Sequence, residues 1–198
     1  PGLMGMIQLF NGMQSSLSMV YDREMGSMRT LLVSPLPRWF LLTCKLLAGV
    51  AVSIIQVYAF LFVAWFWDIQ PPLEGLLYAL PALALSGMML GALGMFLSSA
   101  IKQLENFAGI MNFVIFPMFF ASSALYPLWK MKESSTLLYD ICWYNPFTHA
   151  VELIRFALYG QINWVSAAYV GGTTIVFLSL AIYGYDPGRG LISRKGGK

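Results

Sequence analysis

One histidine, His149, and two cysteines, Cys44 and Cys142, are the only soft titratable side chains in a chain rich in Leu, Ala, Phe, Met and Gly. His149 has no neighbour that would make it a metal ligand or a general base, so a structural role is expected. Neither cysteine stands in a CxxC or zinc-type spacing, and both read as small apolar packing residues. The loop GxxxxGK(S/T) is absent, and the terminal RKGGK lacks the strand-to-helix context that lets backbone amides cradle phosphate. HExxH and GxSxG are absent as well. The chain is therefore expected to be non-catalytic and unable to hydrolyse ATP by itself.

What remains for chemistry is hydrogen bonding from within apolar stretches. Ser53 and Gln56 share one helical face, and Asn112 stands in another apolar run; they could line a pathway or bond across helices. Toward the start, Gln8, Asn11, Ser15 and Ser18 recur at helical spacing and face one way. A path for a solute is the functional reading of Gln8, Asn11, Ser15, Ser53, Gln56 and Asn112.

The elements that hold these residues follow from composition. Of the 198 residues, 58% are hydrophobic and 11% charged, and the mean hydropathy is +0.68. Soluble domains carry about 25% charged residues. Such a deficit suits a bilayer, where buried ions are costly and helices satisfy their own backbone. An all-α integral membrane protein, one domain over 1–198, is predicted. Four apolar runs of spanning length cover Leu46 to Trp67, Leu76 to Ala100, Phe107 to Tyr126 and Val165 to Tyr185. A fifth, more polar one covers Gly2 to Val20. Gly87, Gly91 and Gly94 supply small-residue spacing for close helix packing.

Nine of the twelve Lys and Arg residues fall in connections expected on one side: Arg23, Arg29, Arg38, Lys45, Lys102, Arg189, Arg194, Lys195 and Lys198. Lys130, Lys132 and Arg155 fall on the other. The positive side is cytoplasmic, which predicts a cytosolic C-terminus and places Cys44 and Cys142 on opposite faces, too far apart to pair. Five spans then put Pro1 outside, so a first span and a cytoplasmic piece upstream are expected, making six. Basic residues do not cluster on a soluble face with aromatic neighbours, so nucleic acid is not an expected partner.

Two connections are more than linkers. Between Leu128 and Trp164, Asn145 can cap a helix, Pro146 fits its first turn and Gly160 can end it. Phe147, Val151, Ile154 and Leu158 form an apolar stripe beside Thr148, Glu152, Arg155 and Tyr159. Thirteen or so residues are too few to span, so an amphipathic helix that lies in or re-enters the outer leaflet is predicted, with Glu152 and Arg155 paired. On the cytosolic side, Asp22 and Glu24 suit the start of a short helix, Met25, Met28, Leu31 and Leu32 its apolar face, and Ser34-Pro35-Leu36-Pro37 its end.

These residues resemble the ABC-2-type permeases, the membrane subunits of ATP-binding-cassette exporters. DREMGSMRTLLVSPLPRWFLLTCKLL is similar to the family's cytoplasmic segment, with Glu24, Gly26, Ser27, Leu31, Leu32, Ser34 and Pro35 matching. YNPFTHAVELIRFALYG is similar to its outer segment through Asn145, Pro146, Phe147, Thr148, Ala150, Glu152, Ile154 and Arg155, and FPMFFASSALYPL to its fifth span. The resemblance implies that the cytosolic helix is a coupling helix seated in a groove of a separate nucleotide-binding subunit. Met25, Met28, Leu31 and Leu32 would pack there, Arg23, Glu24 and Arg29 would set polar register, and Gly26 would allow close approach. It also implies ATP and Mg on that partner, none in this chain, a second permease subunit in a homo- or heterodimer, and a bacterial inner membrane. A scaffold that recruits a cytosolic partner without passing substrate is the competing expectation. No local pattern selects the substrate.

Overall fold

The computed structural model describes residues 1–25, 37–67, 72–101 and 104–184. Among them the chain is all helix, with no strand: α1 (Gly2–Glu24), α2 (Arg38–Trp65), α3 (Leu73–Ala100), α4 (Leu104–Phe120), α5 (Leu128–Ser134), α6 (Thr136–Tyr144), α7 (Pro146–Leu158) and α8 (Trp164–Gly184). Three of these, α2, α3 and α8, are long and apolar enough to cross a membrane. At 23 residues α1 has the length but carries more polar side chains, whereas α4 is apolar over 17 residues.

Helix α3 is the centre. In its most apolar stretch 56% of residues are buried, against 28% in α2 and 22% in α8, which therefore turn most of their surface outward. Around α3 pack α1, α2, α7 and α8. One core joins Leu9, Met13, Leu90, Leu93, Ile115, Phe147, Val151 and Val170 from α1, α3, α4, α7 and α8. A second lies toward one end, with Met4, Val57, Leu61, Leu83, Ile154 and Leu158. A third lies toward the other, with Met19, Leu42, Leu46, Met95 and Ala181.

Contact between α1 and α3 is backbone to backbone. A Cβ added at Gly12 would lie 2.9 Å from Gly91 N, and one at Gly94 would lie 2.6 Å from the Gly12 carbonyl and 2.4 Å from Ser16 Oγ. At Gly91 it would meet Leu46 of α2 at 2.5 Å, so α3 brings both neighbours in by lacking side chains there. The glycine spacing in α3 thus performs the packing role its pattern implied.

The helix ends gather in two groups. Asp22 of α1 pairs with Lys45 of α2, and Met19 meets Ser98 near the close of α3, where Gly184 also lies against Ser99. At the opposite end Gly2 lies against Ala124, and Gly75 against the Leu158 carbonyl. Cys44 and Cys142 are free thiols on different helices; Cys142 is buried as a packing residue, whereas Cys44 is exposed.

Several boundaries differ from expectation. Asp22 and Glu24 do not open a new helix; they complete α1, because nothing in Gly2–Glu24 breaks the helical ladder. Carboxylates at that end oppose the helix dipole, and the Lys45 ammonium offsets Asp22. The run from Phe107 stops being helical at Phe120 rather than Tyr126, giving way to turns over 121–126. Helices α5 and α6, in a connection read only for its later helix, were not anticipated.

Gly94→Val should force α1 off α3, since the Gly12 main chain stands in its way together with the Ser16 hydroxyl. A loss of about 1–3 kcal/mol is expected, read as a lowered thermal midpoint in detergent micelles. Gly172→Ala, at a helical glycine with open space around it, should leave the midpoint unchanged or raise it.

Candidate functional site

Because α1 is pressed to α3, its polar face is divided between two neighbours. Gln8 is buried and donates through Nε2 to the Leu83 carbonyl at 2.7 Å. The Ser86 hydroxyl is shared between Gln8 Oε1, 2.6 Å away, and the Ala82 carbonyl at 2.7 Å. One helical turn along, Asn11 donates across to Gln56 Oε1 of α2 and to its own Ile7 carbonyl. Ser53 is buried and bonds back to Val50 O at 2.8 Å. Each such bond contributes on the order of 1 kcal/mol, more where no water competes.

Between α1 and α2 the surface opens into a groove. One stretch of about 370 Å³ is lined by Leu3, Met6, Ile7, Phe10, Asn11, Gln14, Gln56 and Phe60. The next, about 480 Å³, continues over Asn11, Gln14, Ser15, Ser18, Lys45, Gly49, Val52 and Gln56. Of the residues expected to line a path, Gln8, Asn11, Ser15, Ser53 and Gln56 are therefore brought together on the α1–α2–α3 seam. Asn112 is not: it stands exposed on α4 and lines neither stretch. Gln14, Ser86 and Lys45 belong to this region without having been singled out for it. Gln14 falls one position off the stripe of Gln8, Asn11, Ser15 and Ser18, and Ser86 lies in α3, whose periodicity is masked by burial on most sides.

The groove ends near the segment expected to be cytosolic. Met25 follows α1 with its side chain exposed, and Pro37 precedes α2. Gly26, Ser27, Met28, Arg29, Leu31, Leu32, Ser34 and Pro35, expected in a coupling helix, lie outside the described residues. What is described is the clasp beneath them: Lys45 Nζ donates to Asp22 Oδ2, tying the last turn of α1 to the second turn of α2.

At the far end α7 has the predicted bounds. Asn145 Oδ1 accepts from Phe147 N at 3.0 Å as an N-cap, Pro146 occupies the first turn and Gly160 takes φ +69°. Most of its polar stripe is turned into the protein, however, with Tyr159 at its end exposed. Phe147 through Ile154 are all buried, because α7 is inserted among α1, α3 and α8. Thr148 and Arg155 turn to the loop after α4, where Arg155 Nη2 donates to Ser123 O at 2.8 Å and Nη1 to Glu152. Asn145 Nδ2 donates to Met118 O at 2.8 Å and Ala121 O at 2.6 Å, so the same residue caps α7 and terminates α4. Helix α7 is thus inserted in the protein rather than laid on its surface.

His149 is structural, as expected, with partners the sequence did not reveal. It is buried, stacked on Tyr169 at 4.0 Å, and bonded through Nε2 to the Trp143 carbonyl at 2.8 Å and through Nδ1 to Ser166 at 3.4 Å. Burial pushes the imidazole pKa down, partly opposed by the Trp143 bond. Among the described residues no group of three or more His, Cys, Asp or Glu is placed to hold a metal.

A family model described as ABC-2 type transporter matches residues 1–159. Among curated proteins, "Putative transport permease ycf38" of Cyanophora paradoxa is 29% identical over 167 residues, covering 83% of this chain and 56% of the relative. "Probable multidrug ABC transporter permease YbhR" of Escherichia coli (strain K12) is 28% identical over 158 residues, 78% of this chain and 42% of the relative. "Nodulation protein J" of Rhizobium leguminosarum bv. viciae is 33% identical over 86 residues, 43% and 32% respectively. The chain thus spans between 32% and 56% of the length of these relatives.

The Glu152–Arg155 pair offers a direct test of the inserted α7. Arg155→Met should cost about 3 kcal/mol in thermal or denaturant stability, since it strands a buried carboxylate. Adding Glu152→Met should recover a substantial part of the loss in a double-mutant cycle.

Proposed function

The chain belongs to the ABC-2 type transporter family, and from that premise we propose that it is a permease subunit of an ATP-driven exporter. The reading is that it forms part of the substrate path and couples to a separate nucleotide-binding subunit through residues 22–36. The observation that carries this is that one helix pair joins the two sites. Helices α1 and α2 flank the cytosolic segment directly, are clasped by Lys45 and Asp22, and open into the groove of Asn11, Ser15 and Gln56.

In this reading α1, α2, α3, α4 and α8 all cross the bilayer. Helix α1 reaches about 34 Å at the usual helical rise, and its polar face is covered by α3 or turned to the groove. The 17 residues of α4 are at the short limit for a span. The end holding Lys45 and Arg38 faces the cytosol by the excess of basic residues, and with it the C-terminus. Trp39 at one end of α2, with Trp65 at the other and Trp164 opening α8, suits anchoring at the two interfaces.

The mechanism is mechanical. ATP, with Mg, would bind the partner subunits, and their closure would displace the segment that includes Arg23, Glu24, Met25 and Arg29. The clasp would pass that displacement to α1 and α2 together, while the Gly12–Gly94 contact holds the middle of α1 to α3. Relative motion would then concentrate at the α1–α2 face, where the groove is. A second permease subunit would complete the path.

Glu24→Arg or Gly26→Trp should reduce ATP-driven export, or binding of the ATPase subunit, at least about tenfold, with membrane insertion intact. Transport assays in vesicles and co-purification measure the two effects. Normal transport with bound ATPase in both variants contradicts the coupling assignment, and ATPase binding without substrate movement in the unaltered protein supports a scaffold instead.

A further inference from the structure

The groove between α1 and α2 is chemically graded along its length. Its first stretch is apolar on one side, with Leu3, Met6, Ile7, Phe10 and Phe60. At mid-length it becomes hydrogen-bonding, with Asn11, Gln14, Ser15 and Gln56. Gln14 and the Ser15 hydroxyl engage no hydrogen-bond partner among the described residues, and the Gln56 amide nitrogen is free while its oxygen accepts from Asn11. Unmatched donors and acceptors at membrane depth carry a penalty that an occupant with hydroxyls or amides would remove.

Charge narrows the occupant further. Among the described residues Lys45 is the single ionisable side chain lining either stretch, and its ammonium is already paired to Asp22. Among the described residues no carboxylate lines the groove to meet a cation, and no unpaired base is left to meet an anion. Gly49 lets Ser15 of α1 come close to α2 at this level, since a Cβ there would sit 2.7 Å from Ser15 Oγ.

We propose that this groove binds an uncharged amphiphile, its apolar tail along Phe10 and Phe60 and its hydroxyl- or amide-bearing head on Gln14, Ser15 and Gln56. This rests on the reading of the α1–α2 face as part of the transport path. It deepens that reading by assigning the class of cargo: non-ionic and glycoside-like in its chemistry, rather than a cationic or anionic solute.

The test uses the full chain in lipid nanodiscs and photoreactive probes that share a diazirine-bearing dodecyl tail. Their heads are maltoside, trimethylammonium and phosphate, and a diazirine-tailed phosphatidylcholine serves as the lipid control. The maltoside probe is expected to label residues of α1 and α2 around Phe10 and Phe60 in preference to the other three. Gln14→Leu removes a side chain that bonds nothing among the described residues, so it should leave the thermal midpoint intact and weaken maltoside labelling about fivefold. Gln56→Leu should act in the same direction, and Phe113→Ala, on the exposed face of α4, should change nothing. Equal labelling by the charged probes or by phosphatidylcholine overturns the proposal, as does full labelling in both amide variants. Selective labelling in a protein that moves no substrate with its ATPase partner would sink the transport reading while the binding site stands. Active transport without selective labelling would do the reverse.

Discussion

The rest of the molecule depends on how closely α1 can lie against α3. Glycines at 12, 91 and 94 remove the side chains that would hold the axes apart, and the resulting contact is main chain on both sides. Once that crossing is set, Gln8 is near enough to bond the Leu83 carbonyl and meet Ser86, and a polar residue is satisfied in an apolar core. Ser16 also lies against α3, at Gly94, while the polar positions on the next face of α1 turn away from it. Those positions fall on α2, where Asn11 finds Gln56, and on the open groove, where the Gln14 and Ser15 side chains find no partner among the described residues.

The same crossing explains how a polar helix can serve among apolar ones. A helix with Gln8, Asn11, Gln14, Ser15 and Ser18 would be a poor solitary span, because each unmet polar group faces hydrocarbon. Packed between α2, α3, α4 and α7, most of that cost is removed by partners. The part left over is concentrated on one face, and that concentration is what gives the groove its chemistry.

The all-helical architecture and the limits of α7 were legible because they rest on local signals. Asn145-Pro146 opens a helix and Gly160 closes it whatever surrounds them, and both act as expected. The environment of α7 was not legible, since an amphipathic stripe predicts two different surroundings without saying that the second is a protein loop rather than lipid headgroups. Ser123, whose carbonyl receives Arg155, lies 32 residues earlier, and no periodicity links them. Likewise Asp22 and Glu24 suited a helix start by charge alone, yet the uninterrupted ladder of α1 decided the matter. Asn112 shared composition with the seam residues but sits on α4, and only the packing of α4 shows that it faces elsewhere.

If α1 and α2 carry force from the cytosolic segment to the groove, the separation of their facing sides must follow the state of the ATPase. The most direct measurement places spin labels at Ser18 and Val52, which line the groove from α1 and α2, in the complex with its nucleotide-binding partner. Double electron–electron resonance then reports the interlabel distance without nucleotide and with ATP bound. A shift of the distance distribution on ATP binding, abolished by Glu24→Arg, is the predicted result. An unchanged distribution in a complex that still turns over ATP and moves substrate would contradict it.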